Sequence, residues 1–164
     1  MKLSEFFARE LNIKEAYQLP DKLLGTILDE QKKKILFDHF IEEGFDIGVS
    51  IFNDYFESEH GDRKNFMQDF TPNSITKLVK ELSGKQEDIA DICAGVGGLS
   101  QGLDYQTIYL EELSQRAIPI LLFILAIRNK KAILVNGDSL TGKRNKIYKL
   151  SPSNQYSYIK IVED

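Results

Sequence analysis

The segment at residues 91–99 constrains the fold of this chain more than any other. An apolar stretch runs directly into a turn that has glycines at positions 95, 97 and 98. Glycines let a backbone pass close to a neighbouring group, and a helix that begins at such a turn offers unpaired amide groups. We therefore expect a strand, a tight turn and then a short helix. An ordinary tight turn would use the same glycines, so the neighbouring sequence has to decide between the two interpretations.

The residues around this turn alternate between strand and helix patterns. Short apolar strand patterns occupy residues 89–93, 107–110, 132–136 and 156–162. A long apolar helix pattern at residues 115–128 separates the second strand from the third, and Pro119 fits within its first turn. Strands and helices that alternate at this spacing are typical of a parallel sheet covered by helices. The sequence therefore predicts an α/β fold.

A helical segment precedes this part of the chain. Ser4 can cap a first helix, a second is expected from Pro20 towards Gly44, and a third at residues 47–57. The three lysines at positions 32–34 are expected on a solvated face of the second helix, although a nucleic-acid contact is an alternative. Because residues 59–65 are polar, we expect a helical N-terminal segment at 1–62 and a second domain at 63–164.

Acidic residues follow three successive strands. Asp91 ends the first strand pattern, Glu112 lies at the end of the second, 21 residues after Asp91, and Asp138 follows the third. In doubly wound sheets an acid at the position of Glu112 holds ribose hydroxyls. Glu111 is an adjacent candidate that alternation alone does not exclude. Since the carboxyl ends of parallel strands meet at one edge of a sheet, these acids are expected to converge on one crevice.

Composition limits the classes of protein to consider. The formal net charge of −4 does not favour a protein that binds mainly to phosphates, although a local basic patch remains compatible with it. Cys93 is the single cysteine, which excludes an internal disulfide and a multi-cysteine zinc site, and we expect it to be small and buried. With one cysteine and two histidines, we expect no metal centre. No apolar stretch is long enough to span a bilayer, so we also expect no membrane association and a cytoplasmic protein.

The order of these motifs resembles that of adenine-specific DNA methyltransferases. The matching segments are residues 69–72 (Asp-Phe-Thr-Pro), 91–98, 112–114 and 136–138. The modification subunits of type I restriction–modification systems are most similar in this order, which covers residues 66–140 of this chain. The resemblance implies a shortened Rossmann-like αβα fold of the S-adenosylmethionine-dependent methyltransferases, with a helical N-terminal segment.

The resemblance also implies which residues would bind S-adenosylmethionine. The Phe-Thr-Pro segment would contact the methionine part, the glycine-rich turn would hold its amino-acid end, Glu112 would bind the ribose and Asp138 would meet the adenine ring. The implied cofactor-binding residues are Phe70, Thr71, Pro72, Asp91, Cys93, Ala94, Gly95, Gly97, Glu112 and Asp138.

The chain departs from the family's pattern in two places. At the turn, Ile92 stands where the family usually has proline, and Val96 replaces a serine, but the glycines are kept. More importantly, the Asn-Pro-Pro-Tyr motif that binds a flipped adenine has no counterpart, because no two of the four prolines are adjacent. We therefore expect a chain truncated before its catalytic motif, with no catalytic residue of its own. Its alternative role is that of a catalytically inactive regulatory or interaction module.

Other expectations concern partners and rival sites. DNA would be reached through a partner chain, in a homo-oligomer or hetero-complex. Residues 137–143 match the first seven positions of a phosphate-binding loop, but Arg144 replaces the required Ser or Thr. An NAD-type dehydrogenase is a further alternative function, but it would not account for the Phe-Thr-Pro segment. The basic cluster of Lys143, Arg144, Lys146 and Lys149 is expected in a solvated loop, with contact to a phosphate backbone as its alternative.

Overall fold

Helices come first along the chain and strands follow. The computed structural model describes residues 1–59 and 71–162. The helices are α1 (Leu3–Leu11), α2 (Leu19–Ile27), α3 (Glu30–Glu42), α4 (Val49–Glu59), α5 (Asn73–Ser83) and α6 (Ala117–Ile127). The strands are β1 (Lys85–Asp91), β2 (Asp104–Glu112), β3 (Lys131–Asp138), β4 (Lys143–Ser151) and β5 (Tyr158–Val162). The α/β class is confirmed. Within these described residues, no helix combines the length and the apolar character needed to cross a bilayer.

The strands form one mixed sheet whose order follows the sequence, β1-β2-β3-β4-β5. The first three strands are parallel, whereas β4 and β5 are antiparallel to their neighbours. The expectation of a parallel sheet is therefore wrong for the last two strands. The chain reverses because Asp138 accepts hydrogen bonds inside a tight turn, where Gly142 adopts a positive φ and donates to the Asp138 carbonyl at 2.8 Å.

The basic cluster after Gly142 thus lies in strand β4, not in the expected solvated loop. Its alternation was hidden because most of its side chains are charged or polar and exposed. The register of β4 against β3 also shifts between Asn136 and Gly137, which leaves Asn145 without a partner on β3 and interrupts the simple period of two.

The core lies on one face of the sheet, which we call the inner face. Ile108, Leu134 and Leu150 point to it and are fully or almost fully buried. On the opposite, outer face, Lys131, Ile133 and Lys149 are exposed. The described residues therefore do not form the expected three-layer αβα arrangement over β3 and β4. Two right-handed crossovers that step in the same direction along a sheet both fall on the same side, which leaves the other side uncovered.

Helix α6 is the centre of the core. All of its side chains are buried, as expected for a helix that is apolar on every side. The ring of Phe123 packs against four aromatic rings from the helices that precede the sheet: Phe7, Phe37, Phe40 and Phe52. The N-terminal helices and the sheet therefore share one continuous core.

The second predicted helix is in fact two helices. Asp29 ends the first part and caps α3, because its carboxylate accepts hydrogen bonds from the amides of Gln31 and Lys32, both at 3.1 Å. This break rotates the following face. Ile35 is 54% exposed although its spacing suggested burial, whereas Lys33, expected on a solvated face, is 2% exposed.

Candidate functional site at the carboxyl ends of the parallel strands

The three predicted acids lie where three parallel strands end. Asp91 is the last residue of β1, Glu112 of β2 and Asp138 of β3. The backbone links these ends, since the amide of Ala94 donates to the Glu111 carbonyl at 3.0 Å. The Sγ of Cys93 is 4.0 Å from the Oγ of Ser139, which follows β3. The loops after β1 and β3 thus meet above the end of β2.

The carboxylate of Glu112 binds the glycine-rich turn to the end of β2 through a hydrogen bond. One of its oxygens accepts from the Gly95 amide at 2.7 Å, and the other accepts from the Ser114 amide at 2.6 Å. Burial raises the pKa of this carboxyl group, while the backbone hydrogen bonds oppose that rise. Glu112 therefore stands at its expected position, but both of its oxygens face groups of its own chain.

The turn itself is built by glycines, as the sequence indicated. Gly95 and Gly97 both adopt positive φ, which favours glycine. The expected short helix does not follow, however. Residues Ser100–Gly102 form a single 3₁₀ turn instead. A single 3₁₀ turn lacks the row of aligned amides of a helix N-terminus, so the predicted source of amide donors for a ligand is not present there.

Gly97 and Gly98 are also crowded by their own protein. A Cβ at Gly98 would lie 2.6 Å from the Nδ2 of Asn53 on α4, and one at Gly97 would lie 2.5 Å from Cγ of Gln101. Asn53 and Gln101 are buried, and the Oδ1 of Asn53 and the Nε2 of Gln101 have no hydrogen-bond partner in the described part of the chain. The sequence gave no signal for this contact, because Asn53 lies more than 40 positions before the turn.

A cavity of about 310 Å³ opens beside these strand ends. Its walls include Glu111 from β2, Asp138 from β3, and Lys143 and Arg144 from β4. The hydroxyl of Tyr109 donates to a Glu111 oxygen, and burial is the main reason why the pKa of Tyr109 is raised. The acid that faces the cavity is thus the adjacent candidate, Glu111.

Asp138 has two roles in this geometry. Its Oδ1 accepts from the amides of Leu140 and Thr141, at 2.9 and 3.4 Å, which stabilises the turn into β4. The Thr141 hydroxyl first and the Leu140 amide second hold the pKa of this carboxyl below its usual range, so it is ionised at neutral pH. The same side chain is part of the cavity wall.

The remaining predicted residues have different surroundings. Cys93 is exposed, which corrects the expectation of a buried residue, whereas Ala94 is buried. Phe70 lies outside the described residues. Thr71 is half-buried, and exposed Pro72 precedes α5, accepting from its first turn through its carbonyl.

Helix α5 connects Thr71 and Pro72 to the glycine-rich turn. The hydroxyl of Thr76 donates to the Gly98 carbonyl at 3.0 Å. This hydrogen bond was not predicted from the sequence. It fixes the start of the helix, and with it Thr71 and Pro72, on the same side of the sheet edge as the turn.

The cavity has the donors and acceptors that a nucleoside needs. Carboxylates accept hydrogen bonds from ribose hydroxyls and from an exocyclic amine, and the volume lies near the lower end of the range of ligand pockets. In the described ranges, no group of three histidine, cysteine, aspartate or glutamate side chains could hold a metal ion. Of the two adjacent acids, Glu111 rather than Glu112 lines the cavity.

Comparisons with family models, with curated proteins and with solved structures found no match for this chain.

Proposed function

We propose that this chain is an S-adenosylmethionine-binding protein of the adenine-specific DNA methyltransferase kind. The observation that carries the proposal is the meeting of the glycine-rich turn with the acid-bearing ends of β1, β2 and β3. The Gly95 amide is 2.7 Å from Glu112, and a cavity lined by Glu111 and Asp138 lies beside them. The resemblance in motif order supports the same ligand.

In this proposal, the three acidic residues have different roles. Glu111 accepts the ribose hydroxyls and Asp138 accepts from the adenine amine, since both side chains line the cavity. Glu112 acts as a positioning residue that holds the glycine-rich turn through the Gly95 amide. S-adenosylmethionine carries a positive sulfonium centre, which the ionised Asp138 carboxylate favours and which Lys143 and Arg144 in the same cavity wall oppose.

Methyl transfer to adenine in this family uses a base-binding motif that these 164 residues do not contain. A flipped adenine needs acceptors for its amine hydrogens and an aromatic ring to stack on. The family supplies them with Asn-Pro-Pro-Tyr, which is absent from the sequence. We therefore propose that another chain or segment supplies the base-binding half, and that it also brings the DNA.

Calorimetric titration of S-adenosylmethionine into the purified chain tests the cofactor site. We expect binding, and Glu111→Ala to weaken it about 10- to 150-fold, equivalent to the roughly 1.5–3 kcal/mol of hydrogen bonds to a charged group. The matched control is Glu87→Ala, an exposed carboxylate on β1 far from the cavity, which should leave affinity unchanged. Absence of heat and of a thermal shift at millimolar cofactor would remove the proposal.

A second candidate is a non-enzymatic interaction module that retains the fold without the cofactor. The specific observation in its favour is that Glu112 and the glycines at 97 and 98 all have partners within their own chain. The turn is therefore complete without a ligand. The same titration separates the two candidates, because only the first binds S-adenosylmethionine.

A further inference from the structure

Glu111 and Val135 of the cavity wall lie on the outer face of the sheet, and the same face carries a second surface whose residues do not line the cavity. Strand register fixes which of its side chains are neighbours. Ile133 is directly opposite Lys149, Lys149 is opposite Lys160, and Ser151 is opposite Tyr158. All of these residues are exposed. We call the surface formed by Lys131, Ile133, Lys149, Tyr158 and Lys160 the outer platform.

Positive charge is concentrated on this platform. Lys149 and Lys160 face each other across β4 and β5, where directly opposite side chains have Cβ atoms about 5 Å apart. Lys131 on β3 is the diagonal neighbour of Lys149 on β4, and the side chains of such pairs are about 7–8 Å apart. No carboxylate of the described residues forms an ion pair with any of the three. Such a like-charge arrangement is unfavourable unless an anion compensates it.

Protection of a sheet edge does not account for these lysines. Lysine on an edge strand prevents pairing with another chain, and that reasoning covers Lys160 on β5. Lys149 and Lys131, however, lie on β4 and β3, which are paired on both sides. The protein as a whole carries a net charge of −4, so the positive charge of these three lysines is opposite in sign to that of the whole chain.

An aromatic ring lies beside this charge. Tyr158 is 57% exposed, and the Nζ of Lys33 is 5.6 Å from its ring centroid. Exposed Ile133 adds an apolar contact between the lysines. Proteins that bind single-stranded nucleic acids combine a positive track for phosphates with aromatic rings on which bases stack.

We propose that the outer platform binds a single-stranded nucleic acid. Lys131, Lys149 and Lys160 contact successive phosphates, and a base stacks on the ring of Tyr158. A flat sheet face suits unpaired bases that can lie on it, whereas the major groove of a duplex admits a helix or a two-stranded ribbon. This proposal goes beyond the cofactor site and does not depend on it.

Fluorescence anisotropy with a labelled single-stranded oligonucleotide, and with the duplex of the same sequence, tests the platform. The single strand should bind more tightly than the duplex. In the double variant Lys149→Ala/Lys160→Ala, the slope of log affinity against log salt should become shallower by about 1.4, because each lost phosphate contact contributes about 0.7 for single strands. The matched control, Lys22→Ala/Lys77→Ala, removes the same charge from exposed helical positions and should bind like the wild type.

The tyrosine provides an independent arm of the test. Tyr158→Ala should weaken binding about fivefold or more, while Tyr158→Phe, which keeps the ring, should retain it. Equal affinity for duplex and single strand, or equal loss in the control double variant, would overturn the proposal. So would an absence of oligonucleotide binding combined with a dimer mass that the platform variants abolish, since the platform would then pair copies of this chain. Titration of the same variants with S-adenosylmethionine reports on the cofactor site separately.

Discussion

At the residue scale, two glycines of one turn are required for different reasons, one for its backbone conformation and the other for lack of space for a side chain. Gly97 has a positive φ, whereas Gly98 does not and is restricted only by the side chain of Asn53. The sequence predicted the turn correctly from its three glycines. It could not reveal that an asparagine on a remote helix occupies the space beside them.

We expect Gly98→Ala to destabilise the protein by about 1–3 kcal/mol, because the added methyl group would overlap Asn53. The double variant Gly98→Ala/Asn53→Ala should recover most of this loss, since shortening Asn53 makes room and its Oδ1 has no partner to lose in the described residues. Urea unfolding of the four proteins in the cycle measures the coupling. Equal costs for Gly98→Ala in both backgrounds would contradict the contact.

Glu112 gives a prediction about pH. Burial raises its pKa in the folded protein, so the folded state holds this proton more firmly than the unfolded state does. Its contribution to stability is therefore fully present below the ordinary glutamate pKa and is lost as pH rises through the raised value. We expect the free energy of unfolding of the wild type to fall relative to that of Glu112→Gln as pH rises from 4 to 7.

The comparison with Glu112→Gln isolates this group from other carboxylates. Asp29, Asp38 and Asp138 have lowered pKa values, so their contributions are present above the ordinary aspartate pKa and are lost only at lower pH, and these residues are common to both proteins. Glu87→Gln, at an exposed position on β1, is the matched control for the substitution itself. A constant difference for Glu112→Gln would mean that the hydrogen bonds from Gly95 and Ser114 offset the burial completely.

At the element scale, the positions of the strands were easier to predict from the sequence than the direction in which they pair. The strands that carry Asp91, Glu112 and Asp138 end near the predicted positions, although only β3 has a continuous apolar run and β1 is mostly polar with no buried residue. Strand β4 has no such run, and its direction depends on the Asp138 turn. The crevice of acids could therefore be predicted, whereas the choice between Glu111 and Glu112 depended on side-chain direction at the end of β2.

Helix α3 and strand β5 are joined by a buried lysine. The Nζ of Lys33 donates to the Ser157 carbonyl at 2.8 Å and to Glu30 at 2.7 Å. We expect Lys33→Met to cost about 1.5–3 kcal/mol, because the carbonyl loses a charged donor in a buried place. The cost should appear in urea unfolding and as faster amide hydrogen exchange along β5.

Lys32→Met is the matched control for this prediction. Lys32 is adjacent and exposed, and its ion pair with Asp29 spans 3.4 Å at the surface. Surface pairs of this kind contribute little, so its cost should stay below about 1 kcal/mol. Equal effects of the two substitutions would show that Lys33 does not join α3 to β5.

At the scale of the whole molecule, the boundary predicted near residue 62 does not divide the core. Phe123 on α6 touches rings from three N-terminal helices, and all of these residues are buried. The helical segment and the sheet should therefore unfold together. Whether the chain forms a homo-oligomer or a hetero-complex stays a prediction.

We expect Phe123→Ala to cost about 3–5 kcal/mol, the usual range for removing a buried aromatic ring. The unfolding midpoints from far-ultraviolet circular dichroism, which follows the helices, and from near-ultraviolet tyrosine signals, which come from seven tyrosines of which five lie in or next to the strands, should shift by the same amount. Two separate transitions in either protein would contradict the single core. Leu24→Ala, at a half-buried position on α2, is a control for which a smaller cost is expected.

The central position of α6 also determines when the first helices can become stable during synthesis. Phe37 and Phe40 pack on Phe123, more than 80 residues later in the chain. At about 5–20 residues per second, the ribosome adds Phe123 roughly 4–17 s after Phe40. Throughout that interval the apolar faces of α1 to α3 lack their native cover. Until α6 has been synthesised, Phe37 and Phe40 of the nascent segment therefore lack the aromatic ring that covers them in the folded protein.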